Sequence, residues 1–256
     1  MVRLHMVQHP GKEPSLGRHS GTHPYLLSGN TSAKHHRKFM ENNGDYVDSN
    51  NNLKTDASLR FWGEYEMASH YILNPNGPYS HANPKAVHYP IFTFKTSKAI
   101  NTDPLVFGDY FCYFCCKLPV VPLNSGDIVL FGTYYPKANG SEFHLDTFFI
   151  VKERTTMSNL CNQNNVFRAV NKGVCLNGHC CKANNSVAYV SFSYYDNHAY
   201  YSFVPCKKNN NSFFDRPIIN NYECLKTMPD TKSVFDDVVL QVRNQGYDLG
   251  VKFHMP

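Results

Sequence analysis

The sequence predicts an α+β protein, mainly β, built on a twisted antiparallel or mixed sheet with a helix near the C-terminus. Short apolar segments bounded by turn residues recur along the 256 residues, and 14% of the residues are aromatic, a composition typical of strands. Alternating strand–helix units are not recognisable, which disfavours a Rossmann-like fold. With 42% apolar and 18% charged residues the chain has the composition of a globular protein, and we expect one domain over 1–256.

The N-terminal third combines irregular chain with one strong strand signal. Residues 1–33 are rich in His, Pro, Gly and Ser, and we expect an irregular segment after a short apolar stretch. Residues 32–40 fit two helical turns with Ser32 as the cap. The aromatic run Leu59–Tyr71 predicts the first well-defined strand.

The middle of the chain reads as a series of strands that follows a long loop. Residues 73–90 contain four prolines and predict a loop, which at this length is usually functional or mobile. Strand-like segments follow at 91–95, 105–117, 127–135 and 143–152.

The C-terminal part contains a Cys-rich insertion and the clearest helix. Residues 156–185 are polar and loop-like, and Val187–Val204 predicts one long strand or a hairpin. Ser233 can cap a helix whose apolar stripe falls at i, i+4 and i+8, namely Val234, Val238 and Val242. A short strand then returns over 250–253.

Charge and cysteine content limit the class of protein. The formal charge is +5, and most basic residues are spread along the sequence. This balance is compatible with an anionic ligand but does not indicate a polynucleotide. Apolar runs fall short of the roughly 18 residues that a membrane span needs, and we expect no membrane association. An odd count of nine cysteines with two adjacent pairs fits a disulfide framework poorly, and no apolar signal core is visible. We therefore expect a reduced, cytoplasmic protein.

The segment Phe61–Glu66 is the first candidate site. As a strand it would place Trp62, Glu64 and Glu66 on one face. Two carboxylates beside an indole suit general acid–base work or recognition of a base stacked on the ring. The alternative is a solvated face with Trp62 covering the edge of the sheet.

A basic cluster, Lys34–Lys38, is the second candidate. His36, Arg37 and Lys38 could hold a phosphate, with Arg37 supplying bidentate geometry. The alternative is a solvated basic face of a helix.

The third candidate is the turn-rich segment from Asn101 to Asp109. Asp103 before a proline and Gly108 before Asp109 predict two turns around an extended piece, and such loops often present groups to a ligand. Asn101, Asp103, Phe107 and Asp109 are therefore substrate-binding candidates, although ordinary turn chemistry explains them equally well. Asp146, on one strand face with His144, is a further substrate-binding candidate; otherwise it is a structural carboxylate or orients a basic residue.

The cysteines allow a metal site without requiring one. Cys175, His179, Cys180 and Cys181 have the donor types and turn chemistry of a zinc site, but we expect no cofactor. The aromatic flanks of Cys112, Cys115 and Cys116 favour buried thiols, and Cys116 is the best-placed nucleophile if one exists. Dinucleotide-binding, P-loop, zinc-protease and α/β-hydrolase motifs are not present.

Two resemblances bear on these candidates. The segment Ser125–Gly132 resembles a strand of the small PUA-like barrels of the PUA, ASCH and EVE group, which implies a partly open barrel and binding of RNA or modified bases. A wider set of motifs is similar to an uncharacterised bacterial protein family and implies that they form one site; it comprises His35–Phe39, Trp62–Glu66, Asn101–Pro104, Phe107–Asp109 and Leu145–Thr147.

Together these observations predict an enzyme that acts on a nucleotide or nucleic-acid base, by hydrolysis or group transfer, in bacterial defence or base modification. Trp62 would stack the base, and Glu64, Glu66 and His36 would act as catalytic groups. Arg37 and Lys38 would hold the phosphate. Two alternatives stay open: a non-catalytic module that reads a modified base or nucleotide, and a structural protein that binds a partner through the 73–90 loop.

Overall fold

Two sheets make up most of the molecule. The computed structural model describes residues 1–8, 13–16, 19–23, 37–80, 83–92, 102–114, 121–138, 140–163, 165–170, 187–223 and 226–255. Within these residues the chain is mostly strand with few helices, which confirms the predicted α+β, mainly β class.

The first sheet is mixed, because β1 (Val2–Gln8) runs parallel to β8 (Ile128–Lys137) while the other pairings are antiparallel. Its longest pairing joins β8 to β9 (Gly140–Thr156). In spatial order the strands are β13 (Lys226–Met228), β1 (Val2–Gln8), β8 (Ile128–Lys137), β9 (Gly140–Thr156), β10 (Val187–Ser191) and β7 (Cys112–Tyr113), with β12 (Ile218–Ile219) also on β9.

The second sheet is also mixed and partly closes on itself. Its order is β14 (Asp248–Phe253), β11 (Val204–Lys208), β4 (Leu53–Glu64), β3 (Arg37–Val47), β6 (Ala86–Pro90), β5 (Ser69–Leu73) and β2 (Gly21–His23). A second pairing of β14 with β3 closes a ring of strands, and β3 runs parallel to β6.

Strand β8 is buried on both faces along its first six residues. Along β8, Ile128 and Leu130 belong to one core cluster and Val129 and Phe131 to the other. A strand buried on both faces reads as a continuous apolar run. This explains why the run at 127–135 predicts a strand without alternation.

Three helices lie in the described residues: α1 (Met157–Gln163), α2 (Asn165–Val170) and α3 (Thr231–Asn244). Helix α3 begins slightly before the predicted start, because Asp230 is its cap and accepts a hydrogen bond from the Ser233 N–H at 2.8 Å. The predicted stripe Val234, Val238 and Val242 is buried. None of the helices in the described ranges has the length and apolarity to cross a membrane.

Several local predictions are wrong, for a common reason. The short apolar stretch forms β1, but β2 lies in the segment that we expected to be irregular, and the part of 32–40 that the structure describes belongs to strand β3, not to a helix. The 73–90 loop contains β6, and α1 and α2 lie within the segment predicted as a Cys-rich loop. In each case tertiary pairing or packing overrides a weak local signal.

The region 187–204 is neither one strand nor a hairpin. After β10 the chain forms a 3-10 turn at Tyr194–Asp196, which ends at Asn197 with φ of 54°. It then crosses to the other sheet as β11. The two strands therefore do not pair with each other, because their partners lie in different sheets.

Candidate functional site

Two adjacent cations begin β3 and point to opposite faces of its sheet. Arg37 pairs across the ladder with Glu64, and Lys38 pairs with Gly63. Neither cation has solvent-exposed surface. Because successive strand residues alternate, each cation enters a different part of the interior. Charged residues are almost never fully buried unless they are paired, so the partners of both define the site.

The Arg37 side is an ion-pair network between the two sheets. The Arg37 Nε is 2.9 Å from Asp146 Oδ2, and its Nη1 is 3.7 Å from Glu64 Oε2. The second Asp146 oxygen is 2.7 Å from the Nε of Arg216. Two guanidinium groups therefore face two carboxylates, and the network is balanced in charge. We call Arg37, Glu64, Asp146 and Arg216 the arginine network.

A bulge in β9 positions Asp146 in this network. The β8–β9 register shifts where Phe131 pairs with Thr147 and Gly132 pairs with Leu145, which leaves Asp146 as the extra residue. A Cβ on Gly132 would lie 2.2 Å from the His144 carbonyl oxygen. Only glycine therefore permits this close approach of the two strands.

Trp62 lies against the arginine network and is itself buried. Its Nε1–H donates to the Phe214 carbonyl at 2.8 Å, and the Arg216 guanidinium carbon is 4.2 Å from the centre of the ring. The Phe39 ring is also close, with 5.5 Å between centroids. The predicted stacking of a base on Trp62 does not fit this arrangement, because Arg216 already covers the indole.

The surroundings of Arg216 add further titratable groups. Its Nη1 donates to the Tyr135 hydroxyl at 2.6 Å. Burial lowers the pKa of Arg216, but the charges of Asp146, Tyr135 and Asp215 and the hydrogen bond to Tyr135 together outweigh this effect and raise the pKa above its ordinary value. Glu13 accepts the Lys85 N–H at 2.9 Å, and burial raises the pKa of Glu13 to about 7 although Lys85 and Arg216 oppose the change.

The Lys38 side is a separate cluster of polar groups. The Lys38 Nζ donates to the Met67 carbonyl and to the Ser69 hydroxyl, both at 3.0 Å. The Ser69 Oγ is 2.9 Å from His88 Nδ1. Burial lowers the pKa of Lys38 to about 7, and the charge of Glu66 partly offsets this effect. We call Lys38, Glu66, Ser69 and His88 the lysine cluster.

Glu64 and Glu66 therefore serve different clusters. Strand β4 ends at Glu64, so the alternation that placed both carboxylates on one face stops there. Glu64 faces Arg37, whereas the charge of Glu66 raises the pKa of Lys38. The predicted phosphate clamp of Arg37 and Lys38 is likewise divided, since each cation already has an acidic partner.

Part of the third candidate segment reaches the lysine cluster. The Thr102 Oγ1 accepts the Glu66 N–H at 3.3 Å, and Asp103 accepts the Phe114 N–H at 3.1 Å. Burial raises the pKa of the Cys112 thiol, and the charge of Asp103 adds to this effect. Thr102 thus positions the backbone that carries Glu66, whereas Asp103 holds its own loop against Phe114.

The rest of that segment lies elsewhere. Phe107 is fully buried and packs against Phe61, Tyr65 and Phe253, so it is a core residue, not a substrate contact. Asp109 is exposed and pairs with Lys252 at 2.7 Å. Core packing accounts for the position of Phe107, and an ion pair at the surface accounts for that of Asp109.

Several predicted site residues lie outside the described residues. These are His36, Asn101, Cys116 and the zinc set of Cys175, His179, Cys180 and Cys181. Within the ranges the structure describes, no group of three His, Cys, Asp or Glu side chains could hold a metal ion. Cys112 and Cys206 are free buried thiols, whereas Cys161 is disulfide-bonded, which departs from the fully reduced state we expected.

Sequence reasoning missed Arg216, Ser69 and His88. Arg216 belongs to no basic cluster or motif, and its closest carboxylate partner, Asp146, is 70 residues away in the sequence, so no local pattern marks it. Ser69 and His88 lie in segments predicted as the end of a strand and a loop.

Comparisons with protein families, curated proteins and solved structures found no match for this chain. The candidate site therefore stands on its own geometry.

Proposed function

We propose that the protein is an enzyme that acts on a nucleotide or nucleic-acid base, with Lys38 and Glu66 as its acid–base pair. The observation that carries this proposal is the lysine cluster. A buried amine with a pKa near 7, beside a carboxylate and a hydroxyl, has the properties of a general acid or base at neutral pH.

The roles differ from those that the sequence predicted. Lys38 in its neutral form would accept a proton from the substrate, and Glu66 would stabilise the ammonium that results. Glu64 would hold Arg37 in the arginine network and so fix the start of β3. The buried side chains of Lys38 and Glu66 require that this end of the sheet opens locally for the substrate.

The class of substrate rests on two supports. The first is the resemblance of Ser125–Gly132 to PUA-like strands, whose relatives bind RNA or modified bases. The second is chemical: an ammonium or amine beside a carboxylate offers both a donor and an acceptor to the edge of a base. The bacterial defence or base-modification setting belongs to the same proposal.

The first experiment is native mass spectrometry of the purified protein, followed by chromatography of nucleotides and short oligonucleotides after incubation with it. We expect turnover to fall roughly 10²–10⁴-fold in Lys38→Met and Glu66→Gln, the usual contribution of a general acid or base. Glu41→Gln is the matched control, because Glu41 forms a similar cross-strand pair with Arg60 away from the site. Wild-type turnover by Lys38→Met would overturn the assignment.

A binding module is the second candidate. The lysine cluster fits it as well, because a buried amine beside a carboxylate offers a donor and an acceptor to the edge of a base without any turnover. A bound nucleotide in native mass spectrometry without turnover of any nucleotide tested would establish this alternative.

A further inference from the structure

A continuous hydrogen-bonded chain leads away from Lys38 through the interior. It starts at the Lys38 amine on β3, passes through the Ser69 hydroxyl on β5 and ends at the His88 imidazole on β6. The two heavy-atom distances are 3.0 Å and 2.9 Å, both within hydrogen-bond range. All three side chains are fully buried. Bulk water therefore does not bridge these groups.

We propose that Ser69 and His88 form a proton relay for Lys38. The inference deepens the proposed function, since it assigns the groups that return Lys38 to its basic form. Ser69 and His88 would be positioning residues, because they act through Lys38.

The directions of the hydrogen bonds support the relay. An ammonium has donors only, so Ser69 Oγ accepts from Lys38 and its own hydrogen is free to bond with His88 Nδ1. In the forward step a Lys38 N–H bond breaks and the hydrogen joins Ser69 Oγ, while the Ser69 hydrogen leaves to His88 Nδ1. The products are a neutral amine and an imidazolium, so one positive charge is conserved.

The neighbouring groups set the energetics of the transfer. Glu66 favours charge on Lys38, and the Tyr65 ring lies 5.3 Å from the Lys38 Nζ. The Tyr71 ring is 5.7 Å from the His88 ring and offers it an aromatic surface. Burial disfavours charge on either end, so moving the charge from amine to imidazole exchanges one buried cation for another.

A substrate-free titration tests the relay. Lysine labelled with carbon-13 at the ε position reports the protonation of Lys38 by NMR, and the Lys38→Met spectrum assigns its signal. His88→Gln keeps an acceptor for Ser69 but cannot take a proton. We expect this change to raise the Lys38 protonation constant about tenfold, a coupling usual for neighbours in one hydrogen-bonded network.

The decisive comparison repeats His88→Gln in a Ser69→Ala background. If Ser69 conducts the coupling, His88→Gln no longer changes the Lys38 titration there, and Ser69→Thr restores the effect. An equal effect in both backgrounds would show coupling through space and overturn the relay, as would no effect in either. Ser69→Cys, which hydrogen-bonds weakly, replaces Ser69→Ala if the latter does not fold.

The titration tests the relay and the turnover assay tests the proposed function, so the two proposals can fail independently. Coupling between His88 and Lys38 without nucleotide turnover supports the relay and removes the proposed substrate class. Nucleotide turnover without coupling between His88 and Lys38 would support the proposed enzymatic function and overturn the relay.

Discussion

Asp146 is the residue on which the arginine network depends. Its carboxylate contacts the guanidinium groups of both Arg37 and Arg216, at 2.9 Å and 2.7 Å. Removing one member of a buried ion pair leaves an uncompensated charge in a medium of low dielectric constant. The pair itself is weak evidence for stability, but its disruption is costly.

We predict that Asp146→Asn lowers the free energy of unfolding by about 3–5 kcal/mol. Arg37 keeps Glu64 at 3.7 Å, but Arg216 loses its closest carboxylate. Urea denaturation at pH 7 measures the change. Asp236→Asn, in an exposed pair with Lys232, is the control and should stay within about 0.5 kcal/mol. A loss below 1 kcal/mol for Asp146→Asn would mean that water already reaches the network.

Lys38 should give the stability curve a recognisable dependence on pH. Burial lowers its pKa to about 7 in the folded protein, while the unfolded value stays near 10.5. Between these values the unfolded chain binds more protons, so stability rises with pH from about 7 to 10.5 and is lost as pH falls toward 7. Tyrosines with raised pKa values act in the opposite direction at high pH.

A difference between two variants isolates the effect of Lys38. We predict that the free energy of unfolding of the wild type, minus that of Lys38→Met, increases by about 1 kcal/mol per pH unit between pH 7.5 and 9.5. Urea titrations across this range supply the values. Lys54→Met removes an exposed lysine and should leave the difference flat. A flat difference for Lys38→Met would place its folded pKa near the ordinary value.

At the scale of elements, the β8–β9 pair places Asp146 through its bulge. Gly132 and the extra residue in β9 act together, since the bulge requires the strands to approach where Gly132 has no Cβ. The burial of both faces of β8 leaves little room for the strands to move apart.

We predict that Gly132→Ala destabilises the protein by more than about 3 kcal/mol, because the added Cβ meets backbone that cannot yield. Gly21→Ala is the matched control on the edge strand β2, where the nearest atom to a new Cβ is the Tyr71 hydroxyl at 3.8 Å. Thermal unfolding of both variants provides the comparison. Equal stability of the two would show that β8 and β9 separate easily at the bulge.

How much the sequence reveals depends on whether a signal is local. The stripe of α3 and the apolar run of β8 are local, and both predicted their elements correctly. The signal for the start of β3 is not local. By sequence Arg37 and Lys38 resemble a basic helix face, and only the pairing with β4 makes them buried strand residues. The alternation that joined Glu64 to Glu66 held only to the end of β4.

The sequence identified most residues of the candidate site but not how they are grouped in space. Glu64, Glu66, Arg37, Lys38 and Asp146 were all singled out by residue type and pattern, and the structure pairs them with one another or with missed partners. Their grouping into two clusters depends on which face of β3 each cation takes. Arg216 and His88 join through contacts between elements, which no window of sequence contains.

At the scale of the whole molecule, the two sheets share their interior. Each core cluster contains residues of both sheets, and the arginine network joins Arg37 of one sheet to Asp146 of the other. Trp62, the single tryptophan of the sequence, lies in this shared interior and reports on it by fluorescence. Shared cores make separate unfolding of either sheet costly, because each would expose the apolar face of its neighbour.

We therefore predict one cooperative transition. Trp62 fluorescence and far-ultraviolet circular dichroism should give coincident urea curves, since the interior and the strands are lost together. Asp146→Asn should shift both curves by the same amount. A fluorescence transition that precedes the loss of strand signal would show instead that the sheets separate first, and the chain would then consist of two folding units.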